Sequence, residues 1–127
     1  PCCAAQFPTL SCDQFNSAIA LATTLGKHVV IEFGAEWCGP CKKMRPLVHE
    51  LIENNPNVEL FYVNIDDDDW TELIDSHGVE SIPHTDIINP LMPFMSNEPI
   101  IGYNLPKLEE AINKLEPINQ ESKDEQP

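Results

Sequence analysis

The sequence predicts an α/β domain with a central mixed β-sheet of about five strands flanked by four helices. Three observations carry this. Short β-branched and aromatic runs alternate with apolar residues at helical spacing as far as Gly78, which implies parallel strands joined by crossover helices. After Pro83, two strand-like runs, His84 to Ile88 and Pro99 to Tyr103, follow one another with no helix between them, as in an antiparallel edge. The 127 residues suffice for one core, read as a domain over 1–116 with the first strand in an N-terminal segment 1–8, and a polar, acidic tail over 117–127 predicted to be disordered.

The elements follow in order. A short strand is expected around Ala4 to Phe7. Ser11 then has the character of a helix cap, with Gln14 reaching back to it, and Phe15, Ala18, Ile19, Ala22 and Leu25 form one apolar face that Gly26 ends. His28 to Phe33 is a buried core strand. From Cys38 to Asn54 the residues Met44, Leu47, Val48, Leu51 and Ile52 mark a helix, and because this periodicity continues past Pro46, the proline should kink the helix and not end it. Asn57 to Asp66 reads as a second central strand. Asp66 to Asp69 lack the glycine and terminal glutamate of a calcium loop, and are expected to solvate a turn and favour the start of a helix carrying Trp70, Leu73, Ile74 and His77. A loop rich in proline and methionine joins the last two strands. Asn104 caps a final helix with Leu105, Leu108, Ala111, Ile112 and Leu115 on its inner face.

The chemistry concentrates in Glu36-Trp37-Cys38-Gly39-Pro40-Cys41-Lys42, where a strand gives way to a helix. A cysteine at a helix start faces unsatisfied N–H groups and the positive end of the macrodipole, both of which favour thiolate over thiol. Cys38 is therefore expected to be an exposed, low-pKa nucleophile, and Cys41, one turn on, the resolving thiol of a dithiol–disulfide exchange. Pro40 suits the first turn, and Gly39 leaves room for another chain to approach. Glu32 is an acid in an apolar strand. Burial there would raise its pKa and let it exchange a proton with Cys41.

Trp37-Cys38-Gly39-Pro40-Cys41-Lys42, the strand before it, the helix with Pro46, and Ser81-Ile82-Pro83 together resemble thioredoxin over residues 4 to 116. The resemblance implies a thioredoxin fold, a catalytic Cys38, Cys41 and Glu32, and a cis-proline at Pro83 beside the dithiol. It implies that the backbone of Ile82 pairs with an extended client segment, and that Trp37, Gly39 and Pro40 complete the client-binding surface with Gly78 and Gly102 nearby. It implies protein disulfides as substrates, no bound cofactor or metal, and reducing equivalents from NADPH through a thioredoxin reductase. Three positions depart from the family pattern. Gly34 stands where a larger residue is common and should loosen packing behind the motif. Tyr62 replaces a lysine that tunes the buried acid, so that this electrostatic partner is missing. His84 follows Pro83 where threonine is common, and reads either as a group that perturbs the dithiol or as an edge-strand side chain in water. His28, His49 and His77 read as structural or surface residues.

The formal charge is −14, from 21 acidic and 7 basic residues, which argues against nucleic acid and anionic membrane as partners and reads first as solubility, with attraction of a basic partner surface as the alternative; a monomer is expected. No apolar run approaches the ~20 residues a transmembrane helix needs. Pro1 to Pro8 lack the features of a secretory signal, although a chain from which one has been removed looks the same. The cytoplasm is the expected compartment. Of five cysteines, Cys2 and Cys3 read as free terminal thiols, with acylation or oxidation as alternatives, and Cys12 as a small buried or half-buried residue, with pairing to a terminal cysteine as the alternative. The alternatives to a reductase are a disulfide oxidase or isomerase, a non-catalytic interaction module, and metal or cluster binding through Cys38 and Cys41 across a dimer.

Overall fold

The computed structural model describes residues 12–91, 98–115 and 118, with side chains from Phe15 onward. Helix α1 (Cys12–Leu25) leads to strand β1 (His28–Gly34), helix α2 (Gly39–Glu53) and strand β2 (Val58–Asn64). A short 3-10 helix (Asp68–Trp70), helix α3 (Thr71–Ser76), strands β3 (His84–Ile88) and β4 (Ile100–Ile101) and helix α4 (Leu105–Asn113) follow. The sheet runs β2-β1-β3-β4, with β1 and β2 parallel and the other two pairings antiparallel. This is a thioredoxin fold. The described residues hold four strands against the five or so expected. The strand placed at Ala4 to Phe7, the Ser11 cap, Cys2, Cys3, the side chain of Cys12, the middle of the Pro/Met loop and nearly all of the 117–127 tail lie outside the described residues.

Local signals explain the boundaries. Gly26 ends α1 in the left-handed region, where a Cβ is costly. Asn104 accepts a hydrogen bond from the Lys107 N–H through its Oδ1 and so starts α4. Asp67 does the same for the 3-10 turn through the Asp69 N–H, so that this acid acts as a cap. Trp70 belongs to that turn and not to α3. Helix α2 runs on past Pro46 to Glu53.

β1 is central and buried at all seven positions, so its alternating side chains feed two cores. Val30 packs with Met44 and Val48 of α2, Ile87 of β3, and Leu108 and Ile112 of α4. Val29, Ile31 and Phe33 pack on the opposite face with Ala22 of α1, Trp70 and Ile88. The same alternation sends Glu32 toward α2 and Phe33 toward α1 and α3.

Candidate active site

β1 delivers the chain through Ala35 to the start of α2. Cys38 is the N-cap, in an extended conformation, and its Sγ accepts the N–H of Cys41 at 3.1 Å. Pro40 lies in the first turn. Cys38 and Cys41 are joined as a disulfide, with their Cα atoms 5.2 Å apart. The expectation of an exposed Cys38 is corrected. In this oxidised form it is 5% exposed and Cys41 1%. Both cysteines pack against Ala35, Ile65 and Ile82, while Gly39 and Pro40 are exposed at the rim.

Beside the pair runs a groove of about 370 Å³, lined by Trp37, Ile65, Ile74, Val79, Ser81 and Ile82 among others. Trp37 is 67% exposed, yet its indole is fixed, because Nε1 donates to Asp66 Oδ2 at 2.9 Å. The Ile82–Pro83 peptide bond is cis. The Pro83 carbonyl accepts the Gly102 N–H at 2.7 Å, which ties β4 to this loop, and Gly102 has φ +83°, a conformation that side-chain-bearing residues rarely adopt.

Behind the disulfide, Glu32 is 1% exposed, and neither carboxylate oxygen has a hydrogen-bond partner among the described residues. Burial raises its pKa to about 7, against the opposing pull of the Arg45 charge. Arg45 is the residue that sequence reasoning missed. It is buried on α2, its Nη2 donates to the Tyr62 hydroxyl at 2.7 Å, and its guanidinium lies 4.3 Å from the Tyr62 ring centroid. Its Nη1 reaches Glu36 at 3.4 Å. Two expectations are thereby corrected. The cation absent from position 62 is supplied by Arg45, and Gly34 does not loosen the packing. A Cβ on Gly34 would stand 3.0 Å from the Tyr62 hydroxyl and 3.2 Å from Cys41 Sγ, so the phenol and the sulfur already occupy that space. The signal for Arg45 was present in the sequence, since it follows Cys41 by four residues and so shares its helix face.

His84 neither reaches water nor shares the Glu32 face. Its alternation in β3 places it opposite Phe33, whose ring it meets edge-on at 5.4 Å. Its Nε2 lies 3.2 Å from Asp86 Oδ2, and His77 Nδ1 lies 2.7 Å from the same oxygen. Burial pulls the Asp86 pKa upward, but the hydrogen bonds from His77 and His84 outweigh it and leave it below its ordinary value. His77, read as structural or surface, is thus a structural partner of a buried acid. Among the described residues no cluster of three or more His, Cys, Asp or Glu is placed to hold a metal ion, and no helix is long and apolar enough to cross a membrane.

The thioredoxin family model matches residues 6–98. The chain belongs to the thioredoxin family. It is 34% identical over 97 residues to a thioredoxin of Ophiophagus hannah, covering 74% of this chain and 85% of that one. Among solved structures it is similar to a poplar thioredoxin h (25% identity, TM-score 0.72, covering 81% of this chain and 88% of that one). Another is thioredoxin O2 of Arabidopsis thaliana in its oxidised state (28%, TM-score 0.71, 86% and 93%). Thioredoxins are disulfide oxidoreductases that act on protein disulfides, and the Cys38–Cys41 pair lies at disulfide distance as that chemistry requires.

Proposed function

We propose that this chain reduces protein disulfides. The observation that carries the reading is the Cys38–Cys41 pair at the start of α2, with an open apolar groove on one side and, on the other, a buried acid without a hydrogen-bond partner among the described residues. The Cys38 thiolate attacks one sulfur of a client disulfide, which forms a mixed disulfide and expels the other client sulfur as a thiolate. Cys41 gives its proton to Glu32 and attacks Cys38, which releases the second client thiolate and leaves the disulfide seen here. Trp37, Gly39, Pro40, Ile82 and Pro83 receive the client, whose extended backbone pairs with that of Ile82. NADPH, through a thioredoxin reductase, returns the pair to the dithiol with no resident cofactor. Pro46 and Gly102 shape the elements that hold the site.

Insulin reduction, with a competent reductase supplied, tests this. The wild type is expected to precipitate the insulin B chain and Cys38→Ser to fall to the uncatalysed background. Equal inactivity of both would assign the fold to a non-catalytic interaction role. The reduction potential of the pair is expected near ~−270 mV, and a value near ~−180 mV would reassign the protein as an oxidase or isomerase.

A further inference from the structure

Glu32, Tyr62, Gly34, Cys41 and Arg45 meet on one face of the sheet. Tyr62 pairs with Glu32 in the parallel β1–β2 ladder, so the two side chains stand side by side. Gly34, two residues on, shares their face. The Tyr62 hydroxyl and Cys41 Sγ both lie within 3.2 Å of the point a Gly34 Cβ would occupy. Arg45 fixes the phenol from α2, through a 2.7 Å hydrogen bond and by lying over its ring.

We propose that Arg45 and Tyr62 are a positioning pair for the proton transfer between Cys41 and Glu32, admitted to the site by the absence of a side chain at Gly34. A guanidinium has donors only, so the Tyr62 oxygen accepts from it, and the phenol retains its own O–H as a donor. With Tyr62 held up at about 12 by burial, that O–H stays protonated while Cys41 becomes a thiolate. The pair thus brings a fixed cation and a fixed donor to the place where negative charge passes from Glu32 to sulfur and back. Two other groups on neighbouring elements bear on Glu32 among the described residues. Glu36, exposed, reaches Arg45 from the loop, and Thr85 is the β3 neighbour in the ladder and does not titrate. This inference rests on the reductase reading, since it assigns roles within the resolving step.

Rapid mixing of the reduced protein with a fluorescent disulfide peptide separates the two steps. Attack by Cys38 depends on peptide concentration, and resolution by Cys41 does not. Arg45→Gln is expected to move the pH midpoint of the first-order phase up by about one unit, and Arg45→Lys to return it most of the way by restoring the charge. Tyr62→Phe, which keeps the ring, is expected to slow that phase about threefold to tenfold. Should Arg45→Gln not fold, Tyr62→Phe decides alone. A first-order phase in Tyr62→Phe with the wild-type rate and midpoint overturns the inference, as does an Arg45→Lys no nearer to wild type than Arg45→Gln. Absence of any peptide reduction by the wild type overturns the reductase reading and this inference with it.

Discussion

The two faces of the sheet each bury a carboxylate, and treat it in opposite ways. On the α1 and α3 side, Asp86 receives His77 and His84 on one oxygen. On the α2 and α4 side, Glu32 has burial without a hydrogen bond among the described residues, and the compensation is the charge of Arg45. The same physics places one acid below its ordinary pKa and lifts the other to about 7. A buried carboxylate with its hydrogen bonds made is a fixture, whereas one left unmade is ready to take a proton near neutral pH. Only the second lies behind a dithiol.

Mutation can break this contrast at either acid. The largest effect is expected from Asp86→Ala, which leaves two imidazoles without their shared acceptor and should cost about 3–5 kcal/mol in denaturant unfolding of the oxidised protein at pH 7. A loss under about 1 kcal/mol would mean the His77–Asp86–His84 cluster is not a structural fixture. The pH dependence sharpens the contrast. Glu32 is raised from 4.5 to about 7 on folding, so its contribution is complete below pH 4.5 and declines as pH rises through 7, by about 3 kcal/mol in all. Asp86 has the opposite sign, since its contribution is present above pH 3.8 and lost as pH falls through its lower folded value. Glu32→Gln should therefore flatten the neutral limb of the stability curve and leave the acid limb, and a neutral limb unchanged in this variant would sink the assignment. The smallest effect is expected from Gly34→Ala, at about 1–3 kcal/mol, because the new methyl group meets Tyr62 and Cys41 together. Tyr62→Phe in the same background should recover part of that loss, which a double-mutant cycle measures.

Most of the fold was legible because periodicity reports local structure. His28 to Phe33 is a run of β-branched and apolar residues and is buried, and Asn104 starts the last helix. The dithiol and the burial of Glu32 were legible for a different reason, since each follows from a residue type in a definite sequence setting, and the cis bond before Pro83 was legible only through the family resemblance. Arg45 and the His77–Asp86–His84 cluster were not, because their meaning depends on partners distant in the chain. Tyr62 lies 17 residues from Arg45, and although the four-residue spacing from Cys41 puts Arg45 on the same helix face, nothing local pairs it with a strand tyrosine. His84 and Asp86 share a strand face by alternation, but His77 reaches them from another element. Trp37 was legible as an exposed contact, though neither its tether to Asp66 nor the burial of Cys38 was.

Because β1 is buried along its whole length, its placement in the sheet does more than fill two cores. Sliding the strand by one residue would turn Glu32 to the histidine side and Phe33 to the dithiol, which would exchange the environments of an acid and a ring in one step. The acid would gain imidazole partners and lose its readiness to take a proton, while the sulfur pair would face a hydrocarbon wall. The strand's alignment with its neighbours is thus itself a determinant of the redox chemistry, set by its pairing with β2 and β3 and not by any group that touches a client.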